Sequence, residues 1–164
     1  MKFLTLLIAL FGLTSCFSNI QRLPESPYSR SKKDPALSGD GKKLAFIADI
    51  NGRPTVQIQN IRNGKILPLR HLSRHQPHFS PSLSWNGRYL AVLAQEGPKK
   101  VAIIEDRFNG KKHKISFPGK YFPLRLSLSP DATKLAVQFI EKGKWRVNLF
   151  DLTNKLELDL PSSI

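Results

Sequence analysis

The chain is short of cysteine, of acidic residues and of long apolar runs. One cysteine, Cys16, stands among 164 residues. That excludes an internal disulfide and any zinc site built from several thiolates. Asp and Glu number 12 against 26 Lys and Arg, a formal net charge of +14. An excess of that size favours an anionic partner without choosing among lipid headgroups, acidic polymers, acidic proteins and nucleic acid. No Gly-x-Ser-x-Gly elbow, no phosphate-cradling glycine loop and no His-Glu-x-x-His occurs, so the common motifs of acyl transfer, nucleotide binding and zinc hydrolysis are missing. The length leaves room for one domain, and a hydrophobic content of 40% is enough for a packed core.

The one apolar run is residues 3–13, FLTLLIALFGL. It is too short to span a membrane, which takes about 20 residues, and has the length of a signal-peptide h-region behind Lys2. Leu13-Thr14-Ser15-Cys16 follows at once. An aliphatic residue, two small residues and then a thiol resemble the bacterial lipobox, in which the cysteine sulfur receives a diacylglycerol and the chain is cut just before it. Cys16 is therefore the expected lipidation site, residues 1–15 the signal peptide, and membrane attachment is through the N-terminal lipid. Residues 16–33 are polar, with prolines and serines and no apolar periodicity, and read as the lipidated cysteine and a flexible tether. The expected location is the periplasmic face of a bacterial membrane. Phe17 stands where the inner-membrane retention signal of enteric bacteria has Asp, which points to the outer membrane. That compartment argues against nucleic acid as the partner.

The rest of the chain repeats. Leu44, Leu90 and Leu135 are each followed by Ala, at spacings of 46 and 45 residues. Leu37-Ser38, Leu83-Ser84 and Leu128-Ser129 precede them at a fixed distance; Asp40, Asn86 and Asp131 lie four residues before the anchor, and Asn60, Asp106 and Asp151 sixteen after it. A period of this size marks a repeat architecture. Each copy predicts four strands: one ending in Leu-Ser with its Leu buried, an apolar one (LAFIA, LAVLA, LAVQF) buried on both faces, an alternating one, and a short last one (KILPL, HKISF, KLELDL). Asn, Asp and Gly supply the turns between them, and the recurring carboxylates serve those turns by bonding backbone amides. Four antiparallel strands in about 45 residues make a propeller blade. The fold class is all-β: three four-stranded antiparallel blades at about 34–75, 76–121 and 122–162, within a propeller domain spanning 34–162.

The Ser-[Pro/x]-Asp-Gly-x-x-Leu-Ala-Phe pattern resembles the repeat of the TolB-like propellers. Ser129-Pro130-Asp131 is the nearest copy; Ser38-Gly39-Asp40-Gly41 and Ser84-Trp85-Asn86-Gly87 depart mildly. The layout is also similar to that of WD-repeat proteins, without their Gly-His and Trp-Asp signature. The resemblance implies a protein-interaction scaffold in the envelope, with other envelope proteins, such as peptidoglycan-associated lipoproteins, as the partner class. It implies no cofactor and no catalysis, although TolB-like propellers also precede the hydrolase domain of prolyl oligopeptidases. Three blades are too few to close a ring of four to eight. They leave apolar faces at both ends, to be met either by a second copy, making six blades, or by another protein or the tether.

One cluster stands apart from the repeat: Arg70, His71, Arg74, His75 and His78, in the link between the first two blades. Three His at spacings of four and three could ligate a metal, but no helix aligns them and neighbouring cations oppose it. Anion or partner binding, strengthened by His protonation at lower pH, is the sharper reading, beside a plain solvated loop. Lys111-Lys112-His113-Lys114 is a second basic run, read as a solvated strand edge or an anion contact. Trp85 and Trp145 read as packing residues. The alternative function is a binder of anionic envelope polymers, polysaccharide or cell wall, through this basic surface.

Overall fold

The computed structural model describes residues 31–72 and 76–161. Among these residues eleven strands form three antiparallel sheets. Strands β1 (Lys32–Leu37), β2 (Lys43–Ile50), β3 (Arg53–Asn60) and β4 (Ile66–Leu67) make blade 1. Strands β5 (His78–Leu83), β6 (Tyr89–Glu96), β7 (Lys99–Asp106) and β8 (Lys112–Ile115) make blade 2. Strands β9 (Phe122–Leu128), β10 (Lys134–Glu141) and β11 (Lys144–Asp151) make blade 3. The chain is therefore an all-β partial propeller, and each inner strand ends at the Leu of the Leu-Ser pair. Among the described residues no helix is long and apolar enough to cross a membrane.

Alternation within each strand decides which blade a side chain meets. Blade 2 is the middle layer. Its Tyr89, Ala91, Leu93, Ala102 and Ile104 pack on Leu126, Leu128, Leu135, Val137 and Phe139 of blade 3. The intervening Leu90, Val92, Ala94, Val101 and Ile103 pack on Ala45, Ile47, Val56 and Ile58 of blade 1. The apolar second strand is thus buried on both faces in blades 1 and 2. In the second strand of blade 3 only Leu135, Val137 and Phe139, on the face toward blade 2, are fully buried.

Turn carboxylates set the corners as the repeat predicts. Asp40 accepts from Ser38 Oγ (2.6 Å) and the Lys42 amide (3.0 Å). Asp131 does the same with Ser129 Oγ (2.6 Å) and the Thr133 amide (3.0 Å). Backbone bonds tie the corners of successive blades together: Asp40 N–H donates to the Trp85 carbonyl (2.8 Å) and Trp85 N–H to the Pro130 carbonyl (2.6 Å). Trp85 packs against Gly39, where a Cβ would lie 2.6 Å from the indole, so this corner admits only glycine without a shift.

Two expectations are corrected. Leu37 ends β1 but is 61% exposed, since the sheet that Leu83 and Leu128 meet in their blades has no counterpart before blade 1 among the described residues. The segment KLELDL, expected as the fourth strand of blade 3, is not a strand: the sheet ends at β11. It crosses to blade 2 instead. Asn86 occupies the place of the turn aspartate there, so Ser84 lacks a local carboxylate, and Asp159 supplies one. Asp159 is buried and accepts from Ser84 Oγ (2.5 Å) and the Asn86 amide (3.1 Å). Glu157 reinforces the crossing: its Oε2 lies 2.7 Å from Arg88 Nη2, and its amide donates to Tyr89 Oη (3.1 Å).

Candidate functional site

Three features of the surface could engage a partner: the link between blades 1 and 2, a basic groove beside β8, and the outer face of blade 3. The link is held from below by Glu105, a buried residue near the end of β7. Its carboxylate accepts from the amides of Arg70 (2.9 Å), His71 (2.7 Å) and Leu72 (3.1 Å). Three charge-assisted bonds fix the backbone and leave the Arg70 and His71 side chains outside. His71 Nε2 donates to the Gly110 carbonyl oxygen. The Arg70 guanidinium also lies against Gly110, where a Cβ would stand 2.5 Å from Nη1. Arg70 and His71 are thereby set next to the turn that opens the Lys111–Lys114 run, and the two basic stretches of the sequence meet on one rim.

The remaining members of the sequence-predicted cluster do not join them. His78 is fully buried. Its Nδ1 accepts the Val56 amide (3.3 Å), and its Nε2 has no partner. Burial lowers its pKa to about 4, so His78 is neutral and belongs to the core, which removes it from the anion-binding set. Arg74, His75 and Cys16 lie outside the described residues. Among the described residues no group of three His, Cys, Asp or Glu is placed to hold a metal ion.

The groove beside β8 has a volume of about 330 Å³, an apolar floor of Ile104, Ile115, Leu152 and Leu156, and a rim of Lys112, His113, Lys114 and Lys155. It exists because the segment after β11 swings toward blade 2. His113 is shifted below its ordinary pKa, first by burial and also by Lys111 and Lys155, against the opposing pull of Asp106. Lys114 is neutralised by Glu96 at 2.5 Å, leaving Lys112 and Lys155 as the groove's active charges.

The third feature was not legible as a site. Trp145, Val147 and Leu149 of β11 are 64%, 69% and 69% exposed. Across the ladder they face Ile140, Gln138 and Ala136 of β10, and Ile140 in turn faces Phe122 of β9, so these side chains share one face. Trp145, read from the sequence as a packing residue, is instead an exposed aromatic. The alternation of β11 identifies an apolar face, but only the absence of a neighbouring sheet among the described residues makes that face a surface. Exposed apolar patches of this kind mark interaction sites.

No protein-family model matches the chain. A TolB homolog from Chlorobium luteolum is 30% identical over 139 residues, covering 84% of this chain and 31% of its own length; the chain thus spans about a third of the curated relative it matches. Among solved structures, a putative TolB from Agrobacterium tumefaciens superposes with a TM-score of 0.63 at 15% identity, over 80% of this chain and 49% of the other. TolB from Acinetobacter baumannii gives 0.58 at 22% identity, over 80% and 33%. The propeller domain of the trilobed protease from Pyrococcus furiosus gives 0.57 at 20% identity, over 79% and 41%. Identities of this order carry the fold and leave the task open.

Proposed function

We propose that this chain, whose described residues form a TolB-like partial propeller, is a non-catalytic, lipid-anchored scaffold that binds a protein partner in the bacterial envelope. The observation that carries this reading is the apolar face of blade 3, with Trp145, Val147 and Leu149 about two-thirds exposed. The lipobox-like Leu13-Thr14-Ser15-Cys16 supports attachment at the periplasmic face of a membrane, with the outer membrane favoured by Phe17. A partner other than a second copy is favoured. To close a six-bladed ring, a second copy would have to seat on Phe46, Ala48 and Thr55 of blade 1, which are already buried. The scaffold reading needs no cofactor.

The alternative is a binder of anionic envelope polymers. The convergence of Arg70 and His71 with Lys111 through Gly110 favours it, as does the net charge of +14. The two readings separate in one assay. The full chain carrying Cys16→Ser, so that no lipid inserts, is bound to isolated envelopes. The scaffold reading expects retention at high salt, loss on protease treatment of the envelopes and loss with Leu149→Glu. Polymer binding expects release by salt, since exposed charges are screened, and indifference to protease. Incorporation of a labelled fatty acid into the native chain and not into Cys16→Ser tests the anchor; labelling of neither would refute it.

A further inference from the structure

Among the described residues the outer edge of blade 3 is an unfilled strand position. In blades 1 and 2 the third strand is covered by β4 and β8. In blade 3 no described strand covers β11, because Asp159 and Glu157 hold the following segment on blade 2. The polarity of the edge follows from the hairpin. Glu141 and Lys144 close a two-residue turn, and such a closing pair exchanges its hydrogen bonds inward, so bonding alternates from there. Leu152 N–H donating back to the Thr133 carbonyl (2.8 Å) obeys the same alternation. The amides and carbonyls of Trp145, Val147 and Leu149 therefore point to the free edge. In blade 2 the outward amide of Asp106, the counterpart of Asp151, is taken by the Lys111 carbonyl at 2.8 Å.

A strand arriving here meets two different faces. Its side chains beside Trp145, Val147 and Leu149 join the apolar surface. Those on the other face lie beside Lys144, Arg146 and Asn148. Arg146 and Lys120 share Glu141 at 3.8 and 3.6 Å, so the charge around this end of β11 remains positive. An exposed apolar edge strand is a template for pairing, and alternate side chains set what it accepts.

We propose that β11 binds an extended protein segment that alternates apolar and acidic side chains, taken up as the missing fourth strand of blade 3. This rests on the scaffold reading and names the surface and the chemistry of the partner. The chain's own Leu156-Glu157-Leu158-Asp159-Leu160 has that alternation but is engaged on blade 2.

The probe is a capped LELELEL peptide titrated into the full chain, read by tryptophan emission; the other tryptophan, Trp85, packs on Gly39. Binding is expected to shift the emission to the blue. Val147→Pro removes one outward amide and no inward bond, so the fold is expected to hold its melting temperature while peptide affinity falls about tenfold. An LKLKLKL peptide is expected to bind about tenfold more weakly, and Arg146→Glu to reverse that order. Equal binding of the two peptides, or unaltered binding by Val147→Pro, overturns the proposal. A concentration-dependent doubling of mass that Val147→Pro abolishes, without peptide binding, assigns the edge to a second copy and also overturns it. Envelope retention that survives Val147→Pro, with no peptide binding, leaves the scaffold reading standing while the edge fails. Peptide binding without envelope retention does the reverse.

Discussion

Strands β7 and β11 occupy the same place in successive repeats and have opposite fates. Val101 to Ile104 are buried to within 5% or less, whereas Trp145, Val147 and Leu149 are about two-thirds exposed. Apolar and polar residues alternate from Trp145 to Leu149, whereas β7 is apolar at four successive positions, Val101 to Ile104, and both strands follow a glycine-containing turn. The difference lies in what is stacked beside them: among the described residues blade 2 has a sheet on each face, and blade 3 on one. Burial of an apolar residue in a propeller thus depends on its blade's place in the arc as much as on its own strand.

The comparison is broken most directly by truncating the same repeat position twice. Ile104→Ala empties a site packed between two blades and is expected to lower stability by about 3 kcal/mol. Leu149→Ala, one repeat later, is expected to change it by less than about 0.5 kcal/mol. Chemical denaturation of both variants checks the contrast, and similar losses would refute the open face.

The next effect concerns the corner of blade 2. Asp159→Ala is expected to cost about 2 kcal/mol, because it leaves the Ser84 hydroxyl and the Asn86 amide without their acceptor. Adding Asn86→Asp restores a local carboxylate like Asp40 and Asp131, and is expected to recover about half of that loss. No recovery in the double variant would show that Asp159 does not stand in for a turn aspartate.

His78 sharpens the contrast between the buried and exposed parts of the inter-blade link. Its folded pKa lies at about 4 against an ordinary 6.5, through burial. The unfolded chain takes the proton first, so the contribution of neutral His78 is complete above about 6.5 and is lost as pH falls toward 4. A loss of between about 1 and 2 kcal/mol is expected from pH 7 to pH 5. His113, lowered in the same direction, adds to it. Asp40, Asp106 and Asp131 are shifted below their ordinary 3.8, so their stabilisation fades only at lower pH. Melting curves of His78→Gln should show most of this slope removed; an unchanged slope would assign it elsewhere.

The smallest effect is at Gly110. A Cβ there meets Arg70 Nη1 at 2.5 Å on a backbone with φ of 72°. Gly110→Ala is expected to cost about 1 kcal/mol and to move Arg70 away from the Lys111–Lys114 rim. Anion binding that weakens with this variant would tie the two basic stretches into one surface.

The basic link shows how far sequence reading reached. Arg70 and His71 are on the surface as expected, but nothing in their spacing indicated that Glu105 holds their backbone or that Gly110 brings them beside Lys111. His78 shares their composition and local charge, yet it begins β5 and turns inward. The reason is that the side to which a strand residue points is fixed by register, and a single step in register reverses it.

The sequence by itself determined the number of repeats, the ends of the inner strands at Leu37, Leu83 and Leu128, and the carboxylate corners at Asp40 and Asp131. Each of these depends on residues within a few positions of one another: a hydroxyl or carboxylate reaching a nearby amide, and side chains alternating along an extended backbone. Only the tertiary structure decided that Asp159 would replace the carboxylate absent at Asn86, that the fourth strand of blade 3 would be lost in consequence, and that Trp145, Val147 and Leu149 would face outward. Those outcomes depend on which sheets stack and on which distant acceptor reaches an unsatisfied hydroxyl, and neither is written in the local pattern.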